Sequence, residues 1–235
     1  MQILNTYAAA DPENLEFAPA TRIQESLVAS AEKRTLIWLA QRTPACINSD
    51  HLTLLGFVSQ CLAGLCYALA RLNPDALLVG IAFLALNWLG DSLDGTLARV
   101  RNRQRPRYGF YVDHITDTIA AFFLMGGLAL SGYVHPAIAL GMLVAFLMLS
   151  IEAYLATYTL GRFQLSYWKF GPTEIRILLA MGNLALLRHP LIKFMGKPVL
   201  LFDLGGAVAI VGMAVMLIIS AVSHTAQLYK EERLA

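Results

Sequence analysis

Long apolar runs separated by short polar segments occupy most of the chain from residue 46 onward. Several of these runs reach the roughly 20 residues that a helix needs to cross a bilayer. We therefore expect an all-α integral membrane protein in which residues 46–235 form a single domain. Its six predicted transmembrane helices lie near 50–71, 76–99, 108–132, 136–160, 172–188 and 200–226.

The segment before these runs is more polar. Residues 1–27 contain acidic side chains and no apolar core, so we expect a poorly ordered cytoplasmic lead and not a signal peptide. Residues 28–45 mix apolar and basic positions at helical spacing, which predicts an N-terminal amphipathic helix on the membrane surface. An ordinary helix packed under the membrane domain fits the same pattern.

Composition supports a membrane protein, and the basic residues predict its orientation. The chain is 57% hydrophobic and 14% charged, and its net charge of +2 gives no indication of nucleic-acid binding. The positive-inside rule places both termini and the loop between the second and third predicted spans in the cytoplasm. Anionic lipid headgroups or a phosphorylated acceptor are candidate ligands for the five arginines of this loop. These arginines are Arg99, Arg101, Arg103, Arg105 and Arg107. A role as a topology signal alone explains all of them except Arg99.

Four aspartates lie on either side of this loop. Asp91 and Asp94 are three residues apart near the end of the second span, and Asp113 and Asp117 are four apart near the start of the third. Each pair shares one helix face. Because the loop is short, we expect the two helices to be antiparallel neighbours whose acidic pairs face each other.

Such an arrangement predicts a metal site at the cytoplasmic face. One aspartate at mid-membrane costs roughly 2.5–3.5 kcal/mol on an insertion scale. Four carboxylates without a cation would also repel one another. Carboxylate oxygens favour hard divalent ions, so we expect Mg²⁺ or Mn²⁺. A proton or ion transporter is an alternative interpretation, and so is a structural pairing of the acids with the arginine-rich loop.

Small residues accompany the aspartates. Gly95 and Ala98 share the face of Asp91 and Asp94, and Gly109 lies one turn before Asp113. They leave room for a ligand close to the backbone. Arg99, at the edge of this face, can donate to phosphate oxygens.

The spacing of these residues resembles the signature of the CDP-alcohol phosphotransferases at all eight positions. The matching stretch is Asp91-x-x-Asp94-Gly95-x-x-Ala98-Arg99, then nine residues, then Gly109-x-x-x-Asp113-x-x-x-Asp117. The resemblance implies metal-dependent transfer of a phosphate-linked group from a CDP-linked donor to an alcohol, with release of CMP, in phospholipid biosynthesis. It also implies membrane lipids as partners and a homodimer.

The resemblance further implies roles for individual residues. The four aspartates hold metal, with two ions expected, and Asp117 also acts as the general base. The implied nucleotide pocket contains Gly95, Ala98, Arg99 and Gly109. The stretch around Leu52 and Thr53 resembles the start of the family's first span, which makes Thr53 a further candidate for CDP binding.

Two reactions remain open. The chain's length is similar to that of bacterial phosphatidyltransferases, which favours transfer of a phosphatidyl group from CDP-diacylglycerol to a small polar alcohol. His114 and Thr173-Glu174-Ile175 resemble positions in choline and ethanolamine phosphotransferases, in which a CDP-linked amino alcohol reacts with diacylglycerol.

The remaining candidates are less determined. His114 is a candidate base, and it fits equally well as a neutral hydrogen-bond donor or a packed residue. Glu152, Glu174 and Arg176 are polar residues in apolar surroundings, and we assign them to the acceptor pocket. Glu174 and Arg176 are alternatively an interfacial pair with no part in the chemistry.

Overall fold

The structure, a computed structural model, describes residues 21–23, 29–164 and 171–233. The predicted disordered lead, 1–27, lies outside the described residues except for one short strand. The seven helices in the described part are α1 (Ala29–Arg42), α2 (Ser49–Ala70), α3 (Ala76–Val100), α4 (Pro106–Leu130), α5 (Pro136–Leu160), α6 (Pro172–Arg188) and α7 (Leu201–Glu231). The strands are β1 (Thr21–Ile23), β2 (Arg162–Gln164), β3 (Leu191–Phe194) and β4 (Lys197–Leu200).

The last six helices coincide with the six predicted spans. Pro106, Pro136 and Pro172 each open a helix, where the missing proline N–H has no helical partner to lose. By length and composition, four of the described helices can cross a membrane: α2, α3, α5 and α7. In α4 the polar residues of the first turns dilute the apolar run, and α6 has only 17 residues. Six crossings therefore stay a prediction.

The central helix of the bundle is α2, because glycines let it approach both α3 and α4 closely. A methyl group at Gly90 would overlap the backbone of Gly56, and one at Gly127 would overlap that of Gly64. Such glycine contacts are typical of close helix crossings in membranes. Both α3 and α4 pack along α2 and have few contacts with each other. The prediction that α3 and α4 pack as direct neighbours is therefore wrong.

The remaining helices surround this core. On the far side of α4 lies α5, which also packs against α7, while α6 packs against α3. A buried hydrogen bond of 2.9 Å from the Tyr67 hydroxyl to Asn183 Oδ1 joins α2 to α6. These contacts place α3 with α6 and α4 with α5 on two sides of α2.

The N-terminal helix α1 packs against α3. Its buried residues Leu36 and Ala40 meet Leu93 and Leu97 of α3. The opposite face carries Trp38, which is 52% exposed. These contacts agree with the alternative of a helix packed under the domain, and a location on the membrane surface stays a prediction.

Two small strand pairs were not predicted by the all-α assignment. Strand β1 pairs in parallel with β2, and β3 pairs with β4 as an antiparallel hairpin. Met195 and Gly196 join β3 to β4 with φ values of 49° and 81°. Two consecutive positive φ angles are what a tight type I′ hairpin turn requires.

Candidate active site

Asp94 is held by the start of α2. Its Oδ2 accepts a 2.6 Å hydrogen bond from Thr53 Oγ1, and Oδ1 accepts one from the backbone N–H of Gly95. Ser49 Oγ donates to the Asp94 carbonyl oxygen over 2.9 Å. The side chain of Asn48 caps α2 just before this point, which fixes where the helix begins. Thr53 thus contacts an aspartate of the signature directly.

Asp91 is held by α6. Arg176 Nη2 donates to Asp91 Oδ2 over 2.6 Å, and Arg176 Nε donates to Asn87 Oδ1 over 2.7 Å. Asn87 in turn donates from Nδ2 to the carbonyl oxygen of Gly56 over 3.0 Å. Arg176 is 15% exposed and Asp91 23%, so this ion pair is largely shielded from water. The ion pair and the hydrogen bonds of Arg176 and Asn87 therefore link α6, α3 and α2.

The other two aspartates, Asp113 and Asp117, lie on α4. Asp117 interacts electrostatically with Asp91, Asp94 and Arg176. Tyr154 of α5 interacts electrostatically with both Asp113 and Asp117. The two acidic pairs thus belong to one electrostatic cluster with two walls, although their helices do not pack together.

As they stand, no three carboxylate, imidazole or thiol groups within the described ranges are close enough to share one metal ion. Three hydrogen bonds engage the α3 carboxylates, since Arg176 donates to Asp91 while Thr53 and the Gly95 amide donate to Asp94. The donor set itself suits Mg²⁺ or Mn²⁺, since all four candidate ligands are carboxylates. A metal ion would share Asp91 and Asp94 with these partners or displace them, because each carboxylate offers two oxygens.

His114 is packed between aromatic rings. It stacks on Phe110 with a centroid distance of 4.1 Å and meets Tyr154 edge to face at 4.9 Å. Its Nδ1 lies 2.6 Å from the carbonyl oxygen of Phe110. Because a carbonyl only accepts, Nδ1 carries the hydrogen in this contact and Nε2 is the nitrogen able to take a proton.

The predicted nucleotide residues occupy different surroundings. Ala98 lines a cavity of about 360 Å³ between the start of α2, the end of α3 and the basic loop, a size typical of small-molecule sites. Arg99 folds back over Gly95 and donates to Thr96 Oγ1 over 3.1 Å. Gly109 is exposed, with open space where a side chain would stand.

The basic loop is partly committed to structure. Arg101 donates to three backbone carbonyl oxygens of the α1–α2 connection: those of Thr43, Pro44 and Ile47. Arg105 pairs with Asp50 and lies over the ring of Tyr108. Arg101 is therefore a structural clamp, which sequence reasoning did not foresee.

Of the three acceptor-pocket candidates, Arg176 contacts an aspartate of the signature, Asp91. Glu174 is buried and accepts a 2.9 Å hydrogen bond from the Gly171 N–H, which caps the start of α6. Arg176 pairs with Asp91, and the alternative of a Glu174–Arg176 pair stays a prediction. Glu152 faces α7 and pairs with His224 Nδ1 over 2.6 Å.

Sequence reasoning also missed Glu32 of α1. Its Oε1 accepts hydrogen bonds from Trp88 and Ser92 of α3 and from Thr173 of α6. The polar position within the amphipathic pattern was the only signal in the sequence, and it also fits a solvated surface residue.

Comparison with known proteins identifies the family of the chain. The family model for CDP-alcohol phosphatidyltransferase matches residues 47–224, which is more than half of the chain and includes all four aspartates. A search of curated proteins found no match. The chain therefore belongs to the CDP-alcohol phosphatidyltransferase family.

Proposed function

We propose that the protein transfers a phosphatidyl group from CDP-diacylglycerol to a small polar alcohol and releases CMP in a metal-dependent reaction. The observation that carries this proposal is that Arg176 and Thr53 hold Asp91 and Asp94 on one stretch of α3, with the Asp117 carboxylate of α4 nearby. Family membership supports transfer from a CDP-linked alcohol, and the choice of donor and acceptor is our proposal.

The two-walled arrangement suits a substrate that enters between α3 and α4. Because these helices each pack on α2 and have few contacts with each other, no packed α3–α4 interface presses the two acidic pairs together. A diphosphate and its ions would bind between the two pairs in our proposal. This geometry favours a binding site over a purely structural acidic cluster.

When bound, divalent metal would neutralise the donor diphosphate and the departing CMP. Asp91, Asp94, Asp113 and Asp117 are the residues that would hold it. Thr53 and Arg176 already fix the orientation of Asp94 and Asp91 before substrate arrives. The chain thus contributes mainly positioning and charge stabilisation.

Asp117 is our candidate for the general base. It would accept the proton that the acceptor hydroxyl loses as its oxygen attacks the phosphorus of the lipid phosphate. His114 is held by the Phe110 carbonyl and by two aromatic rings, which suits a packed residue that supports α4 against α5. The base assignment therefore favours Asp117.

We place the nucleotide at the cavity that Ala98 lines. Ser49 and Asn48 bring the start of α2 to this cavity, and Arg101, Arg103 and Arg105 make its surroundings basic. The combination suits the phosphates of a nucleotide. The arginine-rich side of the membrane would be the cytoplasm, where CDP-linked donors are available.

A second candidate reaction transfers a phospho-amino-alcohol from its CDP ester to diacylglycerol. The observation that favours it is His114, because Nδ1 is fixed on the Phe110 carbonyl and leaves Nε2 as the proton-accepting nitrogen.

We also propose that the enzyme acts as a homodimer. The mass of the detergent-solubilised protein tests this proposal.

The decisive experiment measures CMP release by the purified protein in lipid nanodiscs. CDP-diacylglycerol is supplied with a panel of labelled polar alcohols, and CDP-choline or CDP-ethanolamine is supplied with diacylglycerol, each with Mg²⁺ or Mn²⁺. We expect CMP only with CDP-diacylglycerol and metal. Asp94→Asn should lose this activity, while Asp75→Asn, at the exposed start of α3, should keep it. Absence of CMP from every donor would overturn the proposal.

A further inference from the structure

One carboxylate oxygen joins three helices beside the candidate site. Glu32 Oε1, in the first turn of α1, accepts hydrogen bonds from Trp88 Nε1 at 2.8 Å, Thr173 Oγ1 at 2.8 Å and Ser92 Oγ at 3.3 Å. Hydrogen bonds to an ionised acceptor are stronger than neutral ones. Glu32 is therefore the main polar link between α1, α3 and the start of α6.

These contacts run parallel to the Arg176 contacts along the same two helices. Trp88 directly follows Asn87, and Ser92 directly follows Asp91. Thr173 lies three residues before Arg176, which is about one helical turn. The Glu32 contacts and the Arg176 contacts thus bridge corresponding turns of α3 and α6.

We propose that Glu32 is a positioning residue for Arg176. By holding Thr173 against α3, it fixes the separation and rotation at which Arg176 reaches both Asn87 and Asp91. The hydrogen-bond donors to Glu32 are Trp88, Ser92 and Thr173, so its effect on Arg176 passes through helices α3 and α6. This inference rests on the proposed function, because it takes Asp91 as a metal ligand.

The test uses Mn²⁺ binding by the full-length protein without nucleotide, measured by electron paramagnetic resonance. Arg176 occupies Asp91 Oδ2 and places a positive charge beside it, and both effects oppose a divalent cation. Arg176→Gln should therefore tighten Mn²⁺ binding, by roughly tenfold for the loss of a charged hydrogen bond.

Arg176→Gln is then combined with Glu32→Ala in a double variant. If Glu32 positions Arg176, the guanidinium is already displaced in this background, and Arg176→Gln should change the dissociation constant by less than about twofold. An unchanged tenfold effect in Glu32→Ala would overturn the inference. A merely structural role of Glu32 would lower the melting temperature without altering this coupling.

Three further variants keep the test decisive if Glu32→Ala does not fold. Thr173→Val removes the hydroxyl and should reduce the Arg176→Gln effect, whereas Thr173→Ser keeps the hydroxyl and should preserve it. Lys33→Ala, at an exposed neighbouring position on α1, should also preserve it. Wild-type protein that binds no Mn²⁺ would contradict the proposed function itself, while binding without coupling would overturn only the role of Glu32.

Discussion

Arg176 Nη2 donates a 2.6 Å hydrogen bond to Asp91 Oδ2, and this ion pair joins α6 to α3 next to the candidate metal site. The same guanidinium also reaches Asn87 through Nε. An arginine so placed orients Asp91, and its guanidinium is a candidate donor to a substrate phosphate.

Replacing Arg176 tests this dual contact. Arg176→Lys keeps the charge but cannot reproduce the planar fork that holds Asn87 and Asp91 together. We expect CMP release to fall by about tenfold in Arg176→Lys and by about a hundredfold in Arg176→Gln, as expected for losing charged hydrogen bonds. Steady-state kinetics with CDP-diacylglycerol measures both. Equal and full activity in the two variants would contradict the role of Arg176.

The base assignment is tested by comparing Asp117 with His114. Asp117→Asn should reduce turnover by roughly 10²–10⁴-fold, the usual contribution of a general base. His114→Phe keeps an aromatic ring against Phe110 and Tyr154, so we expect less than about a tenfold loss. The reverse pattern, with Asp117→Asn active and His114→Phe inactive, would assign the base to His114.

The close approach of α2 and α4 predicts a sharp difference between adjacent glycines. A methyl group at Gly127 would overlap the Gly64 backbone, while one at Gly126 meets nothing within 4 Å. Gly127→Ala should destabilise the protein by at least about 2 kcal/mol, because backbone atoms cannot move aside as a side chain can.

Gly126→Ala is the matched control and should leave stability unchanged or slightly higher, since alanine favours helix. Thermal unfolding of both variants in the same detergent measures the difference. Equal melting temperatures would show that α2 and α4 do not approach as described.

Arg101 predicts a local effect on stability. Arg101→Ala removes the donors to the carbonyl oxygens of Thr43, Pro44 and Ile47, so the α1–α2 connection should loosen. We expect a loss of about 1–3 kcal/mol and faster tryptic cleavage after Arg42, which is exposed at the end of α1. Arg103→Ala, in the exposed part of the same loop, should show neither change.

Local sequence patterns were sufficient to predict the positions of the helices, while the metal site of the four aspartates stays a prediction. The apolar runs predicted the positions of α2 to α7 within a few residues. A membrane helix must make its backbone hydrogen bonds internally, so it needs a long apolar sequence that is easy to recognise. The spacing of Asp91, Asp94, Asp113 and Asp117 placed each pair on one helix face without any knowledge of packing. Thr53 and Arg176 were also identified before their partners were known.

The packing of segments that are distant in sequence was harder to predict from local patterns. The short loop suggested direct contact between α3 and α4, but it does not reveal that glycines such as Gly64 and Gly127 bring α2 between them. Glu32 and Arg101 function through residues more than fifty positions away, which helical periodicity cannot indicate. The turn at Met195 and Gly196 was missed because methionine is not a typical residue for positive φ.

The measurement that most directly tests the account is Mn²⁺ binding by variants of the two walls of the site. Asp91→Asn alters α3, Asp117→Asn alters α4, and Asp75→Asn is the folded control, with bound Mn²⁺ counted by electron paramagnetic resonance. We predict that each wall variant weakens binding by roughly tenfold or more while the control does not. Unchanged Mn²⁺ affinity in both wall variants would contradict a metal site shared between α3 and α4.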